Sequence, residues 1–247
     1  MPEIIGKGLS FNGRPDMLNH SYLNYAFDSV TGKVVYCGMG GTSVYNPDQR
    51  DWEYTVEQPF MMNLYYTKLV STPSGVFGWE RGFFGRFDAR SREWQSVSVT
   101  GDALPKVTYG DDNAITYDAK RNVIWLLAND GYQKPNGKIW SYDLASGVVK
   151  AYVPSNATTL GIPALKEPRE SVYLPQLDVI LYNIFVNGNQ FAFDPQNKRW
   201  LLLPIAKVAT LGSTQAGLTY DKRRNLVWAM AEDNRIFVLR PPAAMSR

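Results

Sequence analysis

The sequence is poor in the residues from which most catalytic and metal centres are built: its 247 residues hold one cysteine, Cys37, and one histidine, His20. A lone cysteine forms no internal disulfide, so no oxidising compartment is implied. The pair cannot assemble the usual His and Cys set of a zinc site. A Ser-His-Asp triad could use only His20, and no nucleophile-elbow motif surrounds any serine. Long runs are missing as well. No stretch approaches the ~18 consecutive apolar residues of a membrane-spanning helix. The longest basic run is Lys222-Arg223-Arg224, and the 26 basic and 23 acidic residues are interspersed, leaving a net charge of +3. Nucleic-acid binders concentrate their basic residues, because phosphate neutralisation supplies most of the affinity. No nucleic acid and no membrane span are therefore expected. The opening Met-Pro-Glu-Ile-Ile-Gly-Lys-Gly has neither the basic n-region nor the apolar h-region of a signal peptide. This points to the cytoplasm if the chain is complete as given, and to export if a leader was removed.

What the sequence does hold is a repeat. Ala-Ile-Thr-Tyr-Asp-Ala-Lys-Arg-Asn-Val-Ile-Trp at 114–125 returns as Gly-Leu-Thr-Tyr-Asp-Lys-Arg-Arg-Asn-Leu-Val-Trp at 217–228. A third copy, Tyr-Ala-Phe-Asp-Ser-Val-Thr-Gly-Lys-Val-Val-Tyr, occupies 25–36. Weaker copies run from Lys68 to Phe77, with Ser71 in the Asp place, and from Ser171 to Leu181. Each reads as a short strand, a polar turn and a second strand rich in β-branched and aromatic residues. The turn residues Asp28, Asp118 and Asp221 are expected to accept hydrogen bonds from amides two residues on, as Asx-turns. A second signature follows each copy. Tyr45-Asn46-Pro47 precedes Trp52, Phe87-Asp88-Ala89 precedes Trp94, and Phe193-Asp194-Pro195 precedes Trp200; Tyr142-Asp143-Leu144 keeps the pattern with Val149 in the Trp place. An aromatic, a tight turn and a Trp on the next strand make a hairpin whose rings share a face, which predicts buried tryptophans between neighbouring units.

Aromatic-Asp-Pro followed by Trp at this distance resembles the kelch repeat, as does Gly40-Gly41 after the second strand of the first unit. The resemblance implies an all-β propeller of four-stranded antiparallel blades. It names no function, since kelch propellers serve as enzymes, scaffolds and ligand-binding proteins. The copper chemistry of galactose-oxidase-type kelch propellers needs two histidines, which this chain lacks.

The strand arithmetic predicts five blades, at approximately 20–60, 61–108, 109–160, 165–206 and 211–241, in a single domain spanning 1–247. The last unit supplies only three strands, 215–220, 225–231 and 235–240, while Glu3 to Leu9 stand alone before the first. That orphan strand is expected to pair with the last blade and close the ring, covering an open sheet edge.

Ligand sites of such folds gather in concave regions lined by loops. The loops entering the first strands contribute His20, Asn63, Asp112, Arg169, Glu170 and Gln215; those joining second to third strands contribute Trp79, Glu80, Arg81 and Tyr132. These ten are the candidate binding residues. Trp79, Tyr132, Tyr65 and Tyr66 are the aromatics left to stack on a sugar or a partner. Two functions fit. The preferred one is a non-catalytic module presenting this loop face to a protein or glycan. The alternative is a carbohydrate-active enzyme, a hydrolase, lyase or epimerase, in which Glu80, Asp112 and Glu170 converge as paired acids do in glycoside hydrolysis. Against it, Arg81 and Arg169 offer these acids ordinary ion-pair partners. His20 reads as a hydrogen-bonded residue at a strand entry. No cofactor is expected, although a calcium held by Asp111, Asp112 and carbonyls stays open. Gly38-Met39-Gly40-Gly41 and Asn187-Gly188-Asn189 read as hairpin turns, since no helix follows them to cradle a phosphate. Asn156-Ala157-Thr158 matches a glycosylation acceptor at the rate expected by chance.

Overall fold

A computed structural model describes residues 24–38, 41–57, 67–80, 83–105, 113–128, 137–157, 170–186, 189–204, 217–230 and 235–241. These residues are all-β, with no helix among them. The chain divides into two compact units, 1–98 and 99–247. The first unit contains two blades. Blade 1 is β1 (Tyr25–Asp28), β2 (Lys33–Gly38), β3 (Gly41–Asn46) and β4 (Asp51–Val56); blade 2 is β5 (Lys68–Thr72), β6 (Gly75–Glu80), β7 (Phe83–Asp88) and β8 (Glu93–Ser96). The second unit contains three. Blade 3 is β10 (Asn113–Asp118), β11 (Val123–Ala128), β12 (Ile139–Asp143) and β13 (Val148–Tyr152), preceded by the short β9 (Thr100–Gly101). Blade 4 is β14 (Ser171–Leu174), β15 (Val179–Val186), β16 (Asn189–Asp194) and β17 (Arg199–Pro204). Blade 5 has three strands among the described residues, β18 (Gly217–Asp221), β19 (Leu226–Met230) and β20 (Ile236–Leu239). Each blade is an antiparallel meander in chain order. Residues 3–9, the expected closing strand, lie outside the described residues.

The meanders arise from one turn chemistry repeated. In the first hairpins Asp28 Oδ1 accepts Val30 N at 3.0 Å, Asp118 Oδ1 accepts Lys120 N at 3.0 Å, and Asp221 Oδ1 accepts Arg224 N at 3.0 Å. In the second hairpins Asn46, Asp88, Asp143 and Asp194 do the same for the amides two residues on. The four-residue loops end on a left-handed residue, as with Asn122 at φ 55° and Asn225 at φ 51°. Asparagine tolerates this conformation better than most side chains. Blade 2 departs from the pattern. Thr72 pairs with Gly75, so its first turn has two residues instead of four. The residue in the Asp place is Thr72, whose Oγ1 accepts Ser74 N at 3.2 Å, and not Ser71 as the alignment predicted. The shorter loop shifted the register by one.

Within each unit, alternate residues of the inner strands face the neighbouring blade and build the core. Between blades 1 and 2, Ala26, Val35, Cys37 and Val44 pack on Leu69, Val76 and Phe87. Trp125, Leu127 and Ile139 of blade 3 meet Tyr173, Tyr182, Phe191, Phe193 and Trp200 of blade 4. Leu174, Leu181 and Ala192 meet Leu218, Val227 and Ala229 between blades 4 and 5. The repeat tryptophans divide. Trp200 is 1% exposed and stacks on Phe191 at 4.8 Å. Trp52 and Trp94 are only half-buried, a correction to the expectation that all three are enclosed. Trp52 rests edge-on against Tyr45 on its own sheet. Trp94 packs on Phe87 and donates through Nε1 to Thr42 Oγ1 at 2.7 Å. Both rings sit on the fourth strands of their blades, β4 and β8. Trp200 gains its cover from residues 156–157, where Asn156 bonds the Trp200 backbone on both sides.

Candidate functional site

Of the ten candidate binding residues, Trp79, Glu80 and Glu170 are described; His20, Asn63, Arg81, Asp112, Tyr132, Arg169 and Gln215 lie outside the described residues, as do Tyr65, Tyr66 and Asp111. Trp79 and Glu80 are strand residues, not loop residues: Lys68 pairs with Trp79 and Glu80 with Phe83.

In the first unit, the face that carries the blade 1 to blade 2 core turns polar at the end away from Asp28. Asn24, Cys37, Thr42, Thr67 and Glu80 are all buried there. Glu80 is 1% exposed and accepts the Thr67 hydroxyl at 2.6 Å. Asn24 and Cys37 are tied by two bonds: Asn24 Nδ2 donates to Cys37 O, and Cys37 N donates to Asn24 O, both at 2.8 Å. Burial pushes the Cys37 thiol up to about 12, against the Thr42 hydroxyl bond that lowers it and with the Glu80 charge that raises it further. Among the described residues, Asn24 Oδ1 is buried with no hydrogen-bond partner, as is Trp79 Nε1 on the opposite face of blade 2. Such orphans are uncommon, because desolvating a polar group without compensation is costly.

In the second unit the corresponding place between blades 4 and 5 is held by Glu170 and Asn183. Glu170 is 6% exposed. Its amide donates to Asn183 Oδ1 at 3.3 Å, and Asn183 N donates to Glu170 O at 3.2 Å. Gln190, also buried, donates through Nε2 to Tyr182 O at 3.0 Å.

Sequence reasoning did not name Asn24, Thr67, Lys68, Asn183 or Gln190. A signal was present in the repeat. Asn24, Lys68 and Glu170 each stand four positions before the turn residue of their blade, Asp28, Thr72 and Leu174, and all three are polar where a core strand would carry an apolar side chain. Asn156, the glycosylation-like match, has its side-chain amide spent on Trp200. No group of three His, Cys, Asp or Glu able to hold a metal occurs among the described residues.

No family model and no curated protein matches the sequence. Solved structures do resemble the fold. An extracellular domain from B. thetaiotaomicron superposes with a TM-score of 0.53 at 11% identity, over 87% of this chain and 27% of that one. The chain thus spans about a quarter of that protein. The WD40 domain of Neurospora crassa Pan2 gives 0.53 at 10% identity, over 93% and 67%. A gluconolactonase from Xanthomonas campestris gives 0.55 at 11% identity, over 88% and 71%. WD40 domains are propellers of four-stranded blades, and identity this low speaks to architecture alone. With the five meanders described above, the fold is a five-bladed β-propeller.

Proposed function

We propose that this chain is a binding module of kelch-like type: one propeller domain over 1–247, closed by residues 3–9, that presents a loop face to a protein or glycan partner without transforming it. The observation that carries this reading is the burial of Glu80, at 1% exposed, with its Oε2 held by Thr67. A buried carboxylate that takes its bond from within its own blade, Thr67 just before β5 and Glu80 at the end of β6, serves the fold, leaving recognition to the candidate loop residues His20, Asn63, Arg81, Asp112, Tyr132, Arg169 and Gln215. The kelch-like assignment rests on the aromatic, turn and Trp unit, whose Asx-turns recur in four second hairpins. Fold neighbours that include both an enzyme and a WD40 domain are compatible with either function.

The rival is a carbohydrate-active enzyme using Glu80, Asp112 and Glu170. One observation favours it: Glu80 and Glu170 are both withdrawn from water, as the acid of a glycoside-hydrolase site is. Co-purification from cell extract, run beside a glycan array and an oligosaccharide panel read by product mass, separates the two. Retention of a protein or glycan without product formation supports the module. Product formation by the purified chain overturns it.

A further inference from the structure

The polar end of the interface between blades 1 and 2 is a buried box that is short of donors. Its walls on the blade 1 side are Asn24 before β1, Cys37 of β2 and Thr42 of β3; on the blade 2 side they are Thr67 before β5, Glu80 of β6 and Trp94 of β8. Asn24 and Thr42 are fully enclosed, and Glu80 is 1% exposed. The blades meet across the box: Trp94 Nε1 donates to Thr42 Oγ1 at 2.7 Å, and the Glu80 charge reaches the Cys37 thiol.

Most of the donors here are spent. Asn24 Nδ2 goes to Cys37 O at 2.8 Å, the Trp94 indole to Thr42, and the Thr67 hydroxyl to Glu80 Oε2 at 2.6 Å. A single hydrogen bond at 3.4 Å joins Cys37 Sγ and Thr42 Oγ1. Against these stand the Glu80 carboxylate and Asn24 Oδ1, which is buried and accepts no hydrogen bond among the described residues. Asn24 shares its face of blade 1 with Ala26, which packs on blade 2, so its amide faces the box. Lys68 is buried and adjacent to Thr67, but it pairs with Trp79 and lies on the other face of the sheet from Leu69 and Glu80.

A buried amide oxygen calls for a donor or a cation, and a carboxylate out of water calls for positive charge close by. We infer that this box holds a small monovalent cation, sodium, potassium or ammonium, between Asn24 Oδ1 and the Glu80 carboxylate. Amide and carboxylate oxygens suit hard cations. One carboxylate balances one positive charge, whereas a divalent ion would bring a second charge into a buried place with nothing to compensate it. The Cys37 thiol, kept protonated by burial, offers no soft ligand. This agrees with the lack of any His, Cys, Asp or Glu triplet for a transition metal among the described residues. An ion here ties blade 1 to blade 2 whatever the loop face binds, so either assignment can fail alone.

The test is thermal melting of the full chain in choline chloride, with choline then replaced by sodium, potassium, ammonium or calcium at constant ionic strength. Choline is too large for so enclosed a place. Tm is expected to rise saturably, by about two to four degrees, with at least one of the three monovalent ions, the shift for a chain this long when the ion stands a few-fold above its Kd. The ion that gives the largest shift identifies the occupant. Glu80→Gln, which keeps the shape and removes the charge, should melt near the parent in choline and lose the response. Asn24→Ala should lose most of it as well, whatever its own Tm, because the reading is the difference between salts. The inference is overturned if no monovalent ion raises Tm above that in choline, if calcium raises it more than all three, or if Glu80→Gln responds as the parent does.

Discussion

Arg121 of blade 3 grips Asp178 of blade 4 with both terminal nitrogens, and the same guanidinium holds Asp118 Oδ2 at 2.8 Å behind it. One side chain thus ties the turn of its own blade to the turn of the next. Bidentate geometry and partial burial, with 18% of the Arg121 and 22% of the Asp178 side chain exposed, place this pair above ordinary surface ion pairs.

Breaking it is expected to be costly. Asp178→Asn should destabilise by roughly 1.5–3 kcal/mol, the range for hydrogen bonds to charged groups, and Arg121→Ala should cost at least as much, because Asp118 then stays buried without its cation. The Arg121 bonds hold the Asp178 carboxyl well below its ordinary value, with smaller contributions from Lys120 and the Tyr173 hydroxyl and against the effect of burial. Because the folded pKa is depressed, the stabilisation is complete above the unfolded value of about 4 and fades as pH falls below it. Chemical denaturation of parent and Asp178→Asn should therefore differ at pH 7 and converge in strong acid. A difference that does not shrink with acid refutes the ionic account.

The tryptophans supply a graded test. Trp200→Ala should cost about 3–5 kcal/mol, the usual loss for a large core ring. Trp52→Ala should cost clearly less, since its ring is half in solvent. Trp94→Ala should fall between them, losing its bond to Thr42 as well as part of its packing. Iodide should quench Trp52 and Trp94 and spare Trp200.

This gradation shows where the sequence was legible. The turns could be read residue by residue, because Asx chemistry is local: Asp28, Asp118 and Asp221 needed no knowledge of their neighbours. Blade number followed from the same punctuation. Burial of each Trp could not be read this way. It depends on what covers the outer side of a fourth strand, and among the described residues Trp200 gains that cover from a distant segment, through Asn156. The candidate site was legible in part for the same reason. Glu170 is legible as an acid of a loop entering a first strand and Glu80 as one of a loop joining second to third strands, but the Thr67 hydroxyl across from Glu80, and the Asn183 side chain across from Glu170, belong to pairings between strands that the repeat does not spell out. The place of Thr72 in the blade 2 turn depends on a loop two residues shorter than the others, which the repeat pattern absorbs by putting Ser71 there instead.

Cys37 should be chemically silent. A thiol raised to about 12 by burial holds almost no thiolate at neutral pH, and the thiolate is the reactive form. Native protein should resist a thiol-specific disulfide reagent for hours and react with one equivalent once unfolded in guanidinium. Rapid labelling of the native state contradicts the burial described here.

Closure by the N-terminal segment can be tested on blade 5. Its face bears Trp228, Val238 at 50% and Ile236 at 64% exposure, and β20 is the last strand of the sheet among the described residues. An apolar edge of this kind invites intermolecular pairing. If residues 3–9 pair with β20, deleting 1–9 should lower Tm by several degrees and promote aggregation on light scattering. A truncated protein that melts with the parent and stays monodisperse removes these residues from the closing role.

The two proposed functions part at the acids. As a structural group, Glu80 receives the Thr67 hydroxyl within blade 2, and an amide of the same shape can accept that bond equally well. Glu80→Gln should then change stability by about 1 kcal/mol or less, while Thr67→Val should cost more, because it leaves the buried Glu80 oxygen without its donor. Glu170→Gln should be similarly mild. As catalysts, by contrast, Glu80, Asp112 and Glu170 act by gaining or losing protons, which an amide cannot do, so an isosteric change at one of them removes turnover while the melting curve stays put. The measurement pairs thermal melting with product mass across an oligosaccharide panel for the parent, Glu80→Gln, Asp112→Asn and Glu170→Gln. No product from any of the four, with melts near the parent's, is the expected result for a binding module. Product from the parent that vanishes in one of the three variants assigns that carboxyl a chemical role and replaces the module with the enzyme.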